Sequence, residues 1–461
     1  MGAVFQIKVL VLYYACSGDE RVEDAVYKAL KNLREHIRGC VIVNWASTRW
    51  FECLISIYWM YERRQEDWLI GLAVPLYAQG ISYRNLFENW QDQEPRDEWS
   101  HLTHVVNLSM ALKSEVLMSR ITGKENGFLE KMIELLQKYH GTAAGHFTGD
   151  ECLSGNSPVQ GTELYGVDEA MHSYEVLFSI TGNEKWLDRL ETLAFNAFPA
   201  TVGPDMWTHQ YDQVTNQIAC TRFKGKAIFR TNGADTNLFG LEPNFGCCTV
   251  NFNQAWPKFV LSTFYKCDNG IVSASLAPSV VKTKIADVAV TVRLITEYPF
   301  KNKLTYVIEP EENVEFDLYV RIPACVNCAV MGSEKIQGGG LLKISRLWSG
   351  TQTVEIKLDF KTEFINRYEV LVYLKRGPLL YSVSIDEEWT MHEYEKDGVE
   401  RRFPYCDYEV HPKSKWNYAF YNTELEVEEY NLSDIPFSPA EPPVKIYANM
   451  VEIDWGDRGR V

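Results

Sequence analysis

The sequence has no long uninterrupted apolar segment, and it is poor in positive charge. None of its apolar runs reaches the roughly 18 residues that a membrane-spanning helix needs, so we predict no membrane association. Lysine and arginine number 46 against 62 aspartates and glutamates, a net charge of −16 at pH 7. Because such a surface repels phosphate groups, the composition argues against binding to nucleic acid or to anionic membranes.

The N-terminal segment lacks the features of a targeting signal. Its apolar stretch, MGAVFQIKVLVLYYACSG, contains an internal lysine and no small-residue cleavage pattern. Gln6 stands where a myristoylation motif requires serine or threonine. We therefore interpret the segment as mature sequence.

The cysteines lack the pairing pattern of a disulfide scaffold. The chain has 11 cysteines in 461 residues, an odd number at scattered spacings. This is typical of free thiols in a reducing compartment, so we expect a cytoplasmic protein, with a homodimer left open as its assembly state. Cys325 and Cys328 have the spacing of half a zinc site, but no second pair accompanies them.

The adjacent cysteines Cys247 and Cys248 are the most informative feature. Neighbouring cysteines bridge to each other only through a strained ring, so the pair indicates thiolate chemistry or metal binding, unless both are simply small core residues. Gly246 precedes them, and the run Asn251 to Phe259, with Pro257 as a breaker, has helical apolar spacing. The thiols are thus predicted near a helix N-terminus, where the helix dipole lowers a cysteine pKa.

A second block, Gly145 to Glu175, supplies carboxylates. Asp150 and Glu151 lie in a loop rich in glycine, serine and proline, and Glu163 opens a predicted helix. Loops carry solvated turn residues as well as active sites, so the pattern leaves both roles open. Further along, Trp207 and His209 lie in a polar aromatic loop, DMWTHQYDQ, of a kind suited to line a sugar pocket.

Together these segments resemble glycoside hydrolase family 127, the β-L-arabinofuranosidase family. The resemblance runs from about residue 9 to about residue 385, and it rests on four stretches. They are GDE…SG…P.QGTEL, the helix EAMHSYEVLFSITGNEKWLDRLETLAFNAFPAT, the strip MWTHQYDQVTNQ, and LFGLEPNFGCCTVNFNQAWPKFV. The resemblance implies a retaining glycosidase that acts on a carbohydrate and uses a zinc-held cysteine thiolate as its nucleophile.

The resemblance also implies a role for individual residues. By position, Cys247 matches the nucleophile and Glu151 the acid/base. Glu163, Cys247 and Cys248 match zinc ligands, and His104 matches a substrate-binding histidine. Trp207 and His209 are added as candidate substrate-binding residues from their loop.

One position departs from the family pattern. Tyr165 stands where the family has a cysteine ligand, two residues after the glutamate. A phenol is bulkier and harder than a thiolate and is usually protonated, so we expect weaker zinc binding. A zinc-free site therefore stays open.

The first half of the chain has a weak repeat. A connector recurs at intervals of roughly 50 to 60 residues, which predicts successive αα-hairpins. The resemblance implies an (α/α)6 barrel, but only about nine or ten helices are predicted before residue 265. We therefore expect a barrel-like helical toroid that is shortened at its N-terminus, or a fragment of a longer protein. The connectors are SGDERV, RRQEDWL, TGKENGFL and TGNEKWL.

After Cys267 the apolar pattern changes to period two, as in the alternating run from Val288 to Leu294. Such runs, separated by turn residues, predict an antiparallel β-sandwich. The predicted organisation is a helical catalytic domain at 1–264, a β-sandwich at 265–385, and an irregular C-terminal segment of about two strands at 386–461 that adjoins the β region.

Two other functional classes stay open. A polysaccharide lyase or unsaturated-glycoside hydrolase on a helical toroid would use histidine, tyrosine and aspartate, and it would not need Cys247. A non-catalytic or degenerate carbohydrate-binding relative would be consistent with Tyr165 and with the short N-terminus.

Overall fold

The chain begins with helices and ends with strands. A computed structural model describes residues 2–123, 127–222, 229–241, 246–367 and 371–455. Residues 242–245 of the stretch LFGLEPNFGCCTVNFNQAWPKFV and residues 124–126 of the connector TGKENGFL therefore lie outside the described residues. The helices are α1 Gly2–Ser17, α2 Arg21–Gly39, α3 Trp45–Thr48, α4 Glu52–Arg64, α5 Asp67–Gln79, α6 Tyr83–Glu88, α7 Val105–Ala111, α8 Ser114–Thr122, α9 Phe128–His140, α10 Leu164–Thr181, α11 Lys185–Thr192, α12 Phe198–Ala200 and α13 Cys247–Leu261.

The helices pack against one another in pairs. Helix α1 packs against α2 and α4, and α10 packs against α7, α11 and α13. A π-helical turn, Leu193–Ala197, joins α11 to α12. The helical region is as predicted, but its described helices do not form a closed barrel. Only seven of them have 13 or more residues, which is too few for a complete ring of twelve.

Buried ion pairs connect the helices. The Glu52 carboxylate on α4 accepts from Lys8 of α1 at 2.7 Å and from Lys113 at 2.6 Å. Lys113 lies directly before α8, and its ammonium group is also 3.7 Å from the carboxylate of Glu169 on α10. Because a buried charge is costly unless it is paired, these contacts link four parts of the helical region.

Two sheets form the β region that follows. One has six strands in the order β10-β9-β12-β7-β6-β5, and the other has four in the order β11-β8-β4-β3. Alternate residues such as Val354, Ile356 and Leu358 are buried between them, which confirms the predicted sandwich. All pairings are antiparallel except β4 with β8. The strands are β3 Phe264–Cys267, β4 Gly270–Ser273, β5 Ser279–Ile285, β6 Val288–Thr296, β7 Lys303–Pro310, β8 Val314–Ile322, β9 Val326–Met331, β10 Glu334–Gln337, β11 Gly340–Trp348 and β12 Gln352–Phe360.

The remaining strands form small sheets. Strands β1 and β2 pair within the helical region, and β13, β14 and β15 form a three-stranded sheet after the sandwich. From residue 386 onward there are six strands in three pairs, more than the sequence predicts, because many of their side chains are exposed and apolar alternation is weak. These strands are β1 Gly161–Glu163, β2 Asp212–Val214, β13 Thr362–Asn366, β14 Val372–Arg376, β15 Leu379–Tyr381, β16 Glu387–His392, β17 Tyr394–Lys396, β18 Val399–Arg401, β19 Asp407–Pro412, β20 Tyr418–Glu429 and β21 Val444–Glu452.

Among the contacts that join the helical and β regions are those of Arg321 and those of strand β19. Arg321 on β8 is fully buried and donates to the Ala274 carbonyl and to Asp188 of α11, at 2.7 and 2.6 Å, and it also pairs with Glu191. Strand β19 forms bridges with Cys220 and with Phe239, in the loop that precedes Cys247. In the described part of the chain, no helix is both long and apolar enough to cross a membrane.

Candidate active site

The adjacent cysteines begin helix α13. Gly246 is the N-cap, and Cys247 and Cys248 are the first two helical residues. Their backbone N–H groups belong to the positive end of the helix, as the sequence predicts. The sequence predicts a break at Pro257, but the helix runs on to Leu261. A proline removes one backbone hydrogen bond, and the other hydrogen bonds of the helix remain.

The two thiols have different electrostatic surroundings. A hydrogen bond from Cys248 and the contact with the Tyr211 hydroxyl outweigh burial, and they lower the pKa of Cys247 to about 7. Burial raises the pKa of Cys248 well above its usual range, and its sulfur accepts the Tyr165 N–H. Near neutral pH, Cys247 therefore has substantial thiolate character while Cys248 stays a thiol that donates to it.

The short sheet of β1 and β2 brings Tyr211 next to Glu163. Glu163 pairs with Asp212, and the Leu164 N–H at the start of α10 donates to the Tyr211 carbonyl at 2.9 Å. The Tyr211 hydroxyl donates to Glu151 Oε1, lies 3.1 Å from Glu163 Oε1, and lies 3.3 Å from Cys247 Sγ. One hydroxyl group thus contacts both carboxylates and the thiol.

Glu151 is held beside this hydroxyl by its own backbone and by His104. The Val105 N–H donates to the Glu151 carbonyl at 2.8 Å. His104 Nδ1 accepts the Asn107 N–H at the start of α7, so Nε2 carries the proton and donates to Glu151 Oε2 at 3.0 Å. Burial raises the pKa of Glu151, but hydrogen bonds from His104, Tyr211 and Trp99 outweigh it and lower the pKa.

Asp150, the neighbour of Glu151, points to a different set of partners. Its Oδ2 accepts the backbone N–H groups of Arg230 and Thr231 at 2.6 and 3.0 Å, and its Oδ1 accepts the Ser154 hydroxyl. These bonds tie residues 229–231 to the loop. Asp150 therefore supports the site, while Glu151 faces the thiol.

The three predicted ligands form a group that fits a metal ion. The ligand atoms of Glu163, Cys247 and Cys248 all lie within 4.8 Å of one another. Glu163 is 1% exposed, and its Oε2 has no hydrogen-bond partner. Burial, and then the charges of Glu151 and Cys247, raise the pKa of Glu163 well above its usual range, a cost that a cation would relieve. Two sulfurs and one carboxylate suit zinc with one position left open.

Tyr165 supplies no thiolate to this group. Burial raises the pKa of its phenol, and Glu169, one turn along α10, raises it further. The phenol therefore stays protonated, so it is a weak metal ligand. A second group, His104, Glu151 and Glu163, also has its ligand atoms within 4.8 Å of one another.

The other two predicted substrate-binding residues lie apart from these contacts. His209 Nε2 is 2.9 Å from the Thr249 hydroxyl, and its Nδ1 is 3.0 Å from the Gln210 carbonyl. Trp207 is 51% exposed, and its ring packs against Tyr405. In the described contacts, His209 supports the start of α13, and Trp207 does not reach the thiol or the carboxylates.

The structure adds two residues, Tyr211 and Trp99, to the set of site residues predicted from the sequence. Tyr211 lies two residues after His209 in the strip MWTHQYDQ, so the motif itself was a signal for it. Trp99 donates its indole N–H to Glu151 Oε2 at 3.4 Å, and its only signal is its position five residues before His104.

Comparison with known proteins gives one family and several similar structures. Residues 270–360 match the model of the "Beta-L-arabinofuranosidase, GH127 middle domain" family. A search of curated proteins by sequence gave no match.

Three solved structures resemble this chain over 89% of its length. One is described as a glycoside hydrolase, with 14% identity, 80% of that chain covered and a TM-score of 0.63. A GH127 β-L-arabinofuranosidase from Geobacillus stearothermophilus T6 has 15% identity, 76% of that chain covered and a TM-score of 0.60. A GH127 β-arabinofuranosidase has 14% identity, 84% of that chain covered and a TM-score of 0.50. The matched family and these structures are glycoside hydrolases, in agreement with the prediction of a glycosidase, and they confirm the resemblance of this chain to glycoside hydrolase family 127.

Proposed function

We propose that this chain is a retaining glycoside hydrolase that releases L-arabinofuranose or a related pentose from β-linked glycans, with Cys247 as nucleophile and Glu151 as acid/base. One observation carries the proposal. A single hydroxyl, that of Tyr211, contacts both Cys247 Sγ and Glu151 Oε1. Because both atoms contact one hydroxyl oxygen, the distance between the thiol and the carboxylate cannot greatly exceed the ~5 to 5.5 Å between the two carboxyl groups of retaining enzymes.

The first step forms a thioglycoside. The Cys247 thiolate attacks the anomeric carbon, the glycosidic C–O bond breaks, and protonated Glu151 gives its proton to the leaving oxygen. Glu151 is ionised in the free site, so it must take up a proton as the substrate binds. Displacement of water by the substrate favours this, because desolvation raises a carboxyl pKa.

The second step restores the Cys247 thiolate and the protonated Glu151 with which the first step began. Glu151, now a carboxylate, takes a proton from water, and the oxygen attacks the anomeric carbon from the side opposite the sulfur. The C–S bond breaks and the Cys247 thiolate leaves. Tyr211 donates to Glu151 and also touches the sulfur, so its hydroxyl is placed to orient both groups.

Zinc fits this proposal through Glu163, Cys247 and Cys248. When bound, it would hold Cys247 as a thiolate and make that sulfur a better leaving group. Because Tyr165 supplies no thiolate, the fourth coordination position of the zinc is open. This is consistent with weak zinc binding or with water as the fourth ligand. The lyase and the non-catalytic relative are not favoured by the matched family or by the similar structures.

A mass-spectrometric trapping experiment tests the nucleophile. A slow β-L-arabinofuranoside should add the mass of one pentosyl unit to the peptide that contains Cys247, and the released sugar should keep its β-configuration. An adduct on another residue, or a product of inverted configuration, would contradict the mechanism. Metal analysis of the same preparation measures the zinc content.

A pair of neighbouring variants tests the acid/base. Glu151→Gln should lose most activity on substrates with poor leaving groups and retain more on activated ones, because only the former need protonation. Asp150→Asn should alter activity without this dependence on the leaving group. The opposite result, with Glu151→Gln spared, would assign the role to Asp150.

A further inference from the structure

The loop before α7 places an exposed tryptophan against the candidate acid/base. Residues 96–104 pair with the segment that carries Glu151: the Arg96 N–H donates to the Leu153 carbonyl at 2.8 Å, and the Leu153 N–H donates to Thr103 at 3.0 Å. His104 and Cys152 form a bridge in the same contact. These backbone bonds hold the Trp99 indole N–H at 3.4 Å from Glu151 Oε2.

Trp99 differs in exposure from the other side chains that contact this carboxylate. Three described side chains hydrogen-bond to Glu151, namely His104, Tyr211 and Trp99. His104 and Tyr211 are buried, whereas Trp99 is 43% exposed. Trp99 is therefore the one of these three contacts that reaches solvent, and it lies at Oε2, whereas the Tyr211 hydroxyl lies at Oε1.

Trp99 lies on the leaving-group side of the glycosidic bond. The released sugar must lie between the Cys247 sulfur and Glu151, because both groups act at its anomeric carbon. The acid/base lies at the glycosidic oxygen, so the next part of the substrate extends past Glu151, away from the sulfur. That direction leads to Trp99 and to solvent.

Two neighbouring rings pack against the ring of Trp99. It packs at an angle against Trp45 at 5.5 Å and against His101 at 4.6 Å between ring centres. The Arg49 guanidinium lies 4.5 Å from the Trp45 ring centre and donates to Asn107 at 2.7 Å. A supported aromatic ring offers a large, rigid contact surface at little further entropic cost.

We propose that Trp99 forms the leaving-group subsite, and that this subsite takes a second sugar ring. The proposal rests on the proposed function, since it assumes that Glu151 protonates the glycosidic oxygen. A sugar ring has a flat face of C–H groups that can cover the exposed indole, whereas a small alkyl leaving group is too short to do so. Trp99 then sets a preference for glycans over simple alkyl glycosides.

Two substrates that share one released sugar test the proposal. The methyl β-L-arabinofuranoside has a leaving group that does not reach Trp99, and a disaccharide with the same non-reducing sugar does. We expect Trp99→Ala to lower kcat/KM for the disaccharide by roughly 10- to 100-fold, the effect of losing one buried aromatic contact. For the methyl glycoside the loss should stay below about threefold, since only a long hydrogen bond is removed.

Further variants separate stacking from the hydrogen bond. Trp99→Phe keeps a flat ring without the N–H, so it should retain most of the preference for the disaccharide. Trp99→Leu keeps apolar volume without a flat ring, and it replaces the alanine variant if that variant does not fold. Tyr421→Ala, at a 73% exposed aromatic on β20, is the control and should leave both rates unchanged.

Each outcome has a definite meaning. A selective loss in Trp99→Ala and Trp99→Leu, with retention in Trp99→Phe, supports the subsite. Equal losses on both substrates would show that Trp99 acts only through Glu151, and no loss on either would show that the ring is not used; both overturn the proposal while the hydrolase assignment stands. A wild-type protein inactive on both substrates would overturn the proposed function as well.

Discussion

The helical region and the β-sandwich bury different kinds of side chain. In the described residues of the helical region, the interior includes charged groups on several helices, among them Lys8, Glu52, Lys113 and Glu169. The sandwich at 264–360 buries mostly alternating apolar residues, and its fully buried charged group, Arg321, pairs with the helical region. Because burying charge is costly, ionisable groups concentrate where they are paired or used in chemistry.

The family match lies in the region without the candidate site. Residues 270–360 match the family model, but Glu151, Glu163, Tyr211, Cys247 and Cys248 all precede them. The match therefore identifies the scaffold, and the chemistry has to be tested in the helical region. The following variants come in pairs, with one member in each region where possible.

The largest effect is expected from the nucleophile. Cys247→Ser should lower kcat by roughly 10⁴- to 10⁶-fold, as loss of a catalytic nucleophile does in other hydrolases. Cys267→Ser, at a half-buried thiol of the sandwich, should leave kcat within about twofold because no reacting group is changed. The measurement is kcat on an arabinofuranoside. Comparable losses in the two variants would contradict the distinction between the regions.

Next comes the buried ion pair that joins the regions. Arg321→Met leaves Glu191 and Asp188 without their partner, so it should lower the free energy of unfolding by about 3 to 5 kcal/mol. Lys343→Met breaks a half-exposed pair with Asp317, so it should lower the free energy of unfolding far less than Arg321→Met does. Denaturant titration measures both, and the activity of the folded fraction should not change. An Arg321 variant as stable as the wild type would refute the role of this contact.

Removing a tyrosine hydroxyl in each region gives a further comparison, with smaller expected effects. Tyr211→Phe removes the donor to Glu151 and should lower kcat by roughly 10²- to 10³-fold, similar to loss of one preorganised donor elsewhere. Tyr306→Phe removes a 2.8 Å hydrogen bond to Ser273 in the sandwich and should cost only about 1 kcal/mol of stability. If Tyr211→Phe kept full kcat while Cys247→Ser lost it, the hydroxyl would be only a packing group.

The smallest effect concerns zinc retention. Tyr165→Cys adds a thiolate ligand, so it should raise the zinc affinity above that of the wild type. The increase should exceed the ~10- to 100-fold change in affinity that substitutions around the direct ligands produce. Tyr319→Cys places a thiol in the sandwich and serves as the control. Chelator titration followed by metal analysis gives the comparison. Wild-type protein that holds stoichiometric zinc as firmly as Tyr165→Cys would show that Tyr165 does not weaken the site.

Features of local backbone geometry were predictable from the sequence. The change from helical to period-two spacing predicts a boundary near 265, and the first strand of the sandwich begins at Phe264. Adjacent cysteines after a glycine predict a helix N-terminus, and α13 begins there. The sequence predicts only about two strands after residue 386, fewer than the structure has, because exposed strand faces weaken the alternating pattern on which strand prediction depends.

The sequence by itself determined the order of helices and strands, the placement of two thiols at one helix end, and the supply of carboxylates upstream. Only the tertiary structure decided that Glu151 faces the thiol while Asp150 faces residues 229–231, and that the Tyr211 hydroxyl contacts both Glu151 and Cys247. Periodicity and capping depend on residues a few positions apart, but Tyr211 is 60 residues from Glu151 and 36 from Cys247. Contacts over such separations arise from packing between elements, which short-range patterns do not encode.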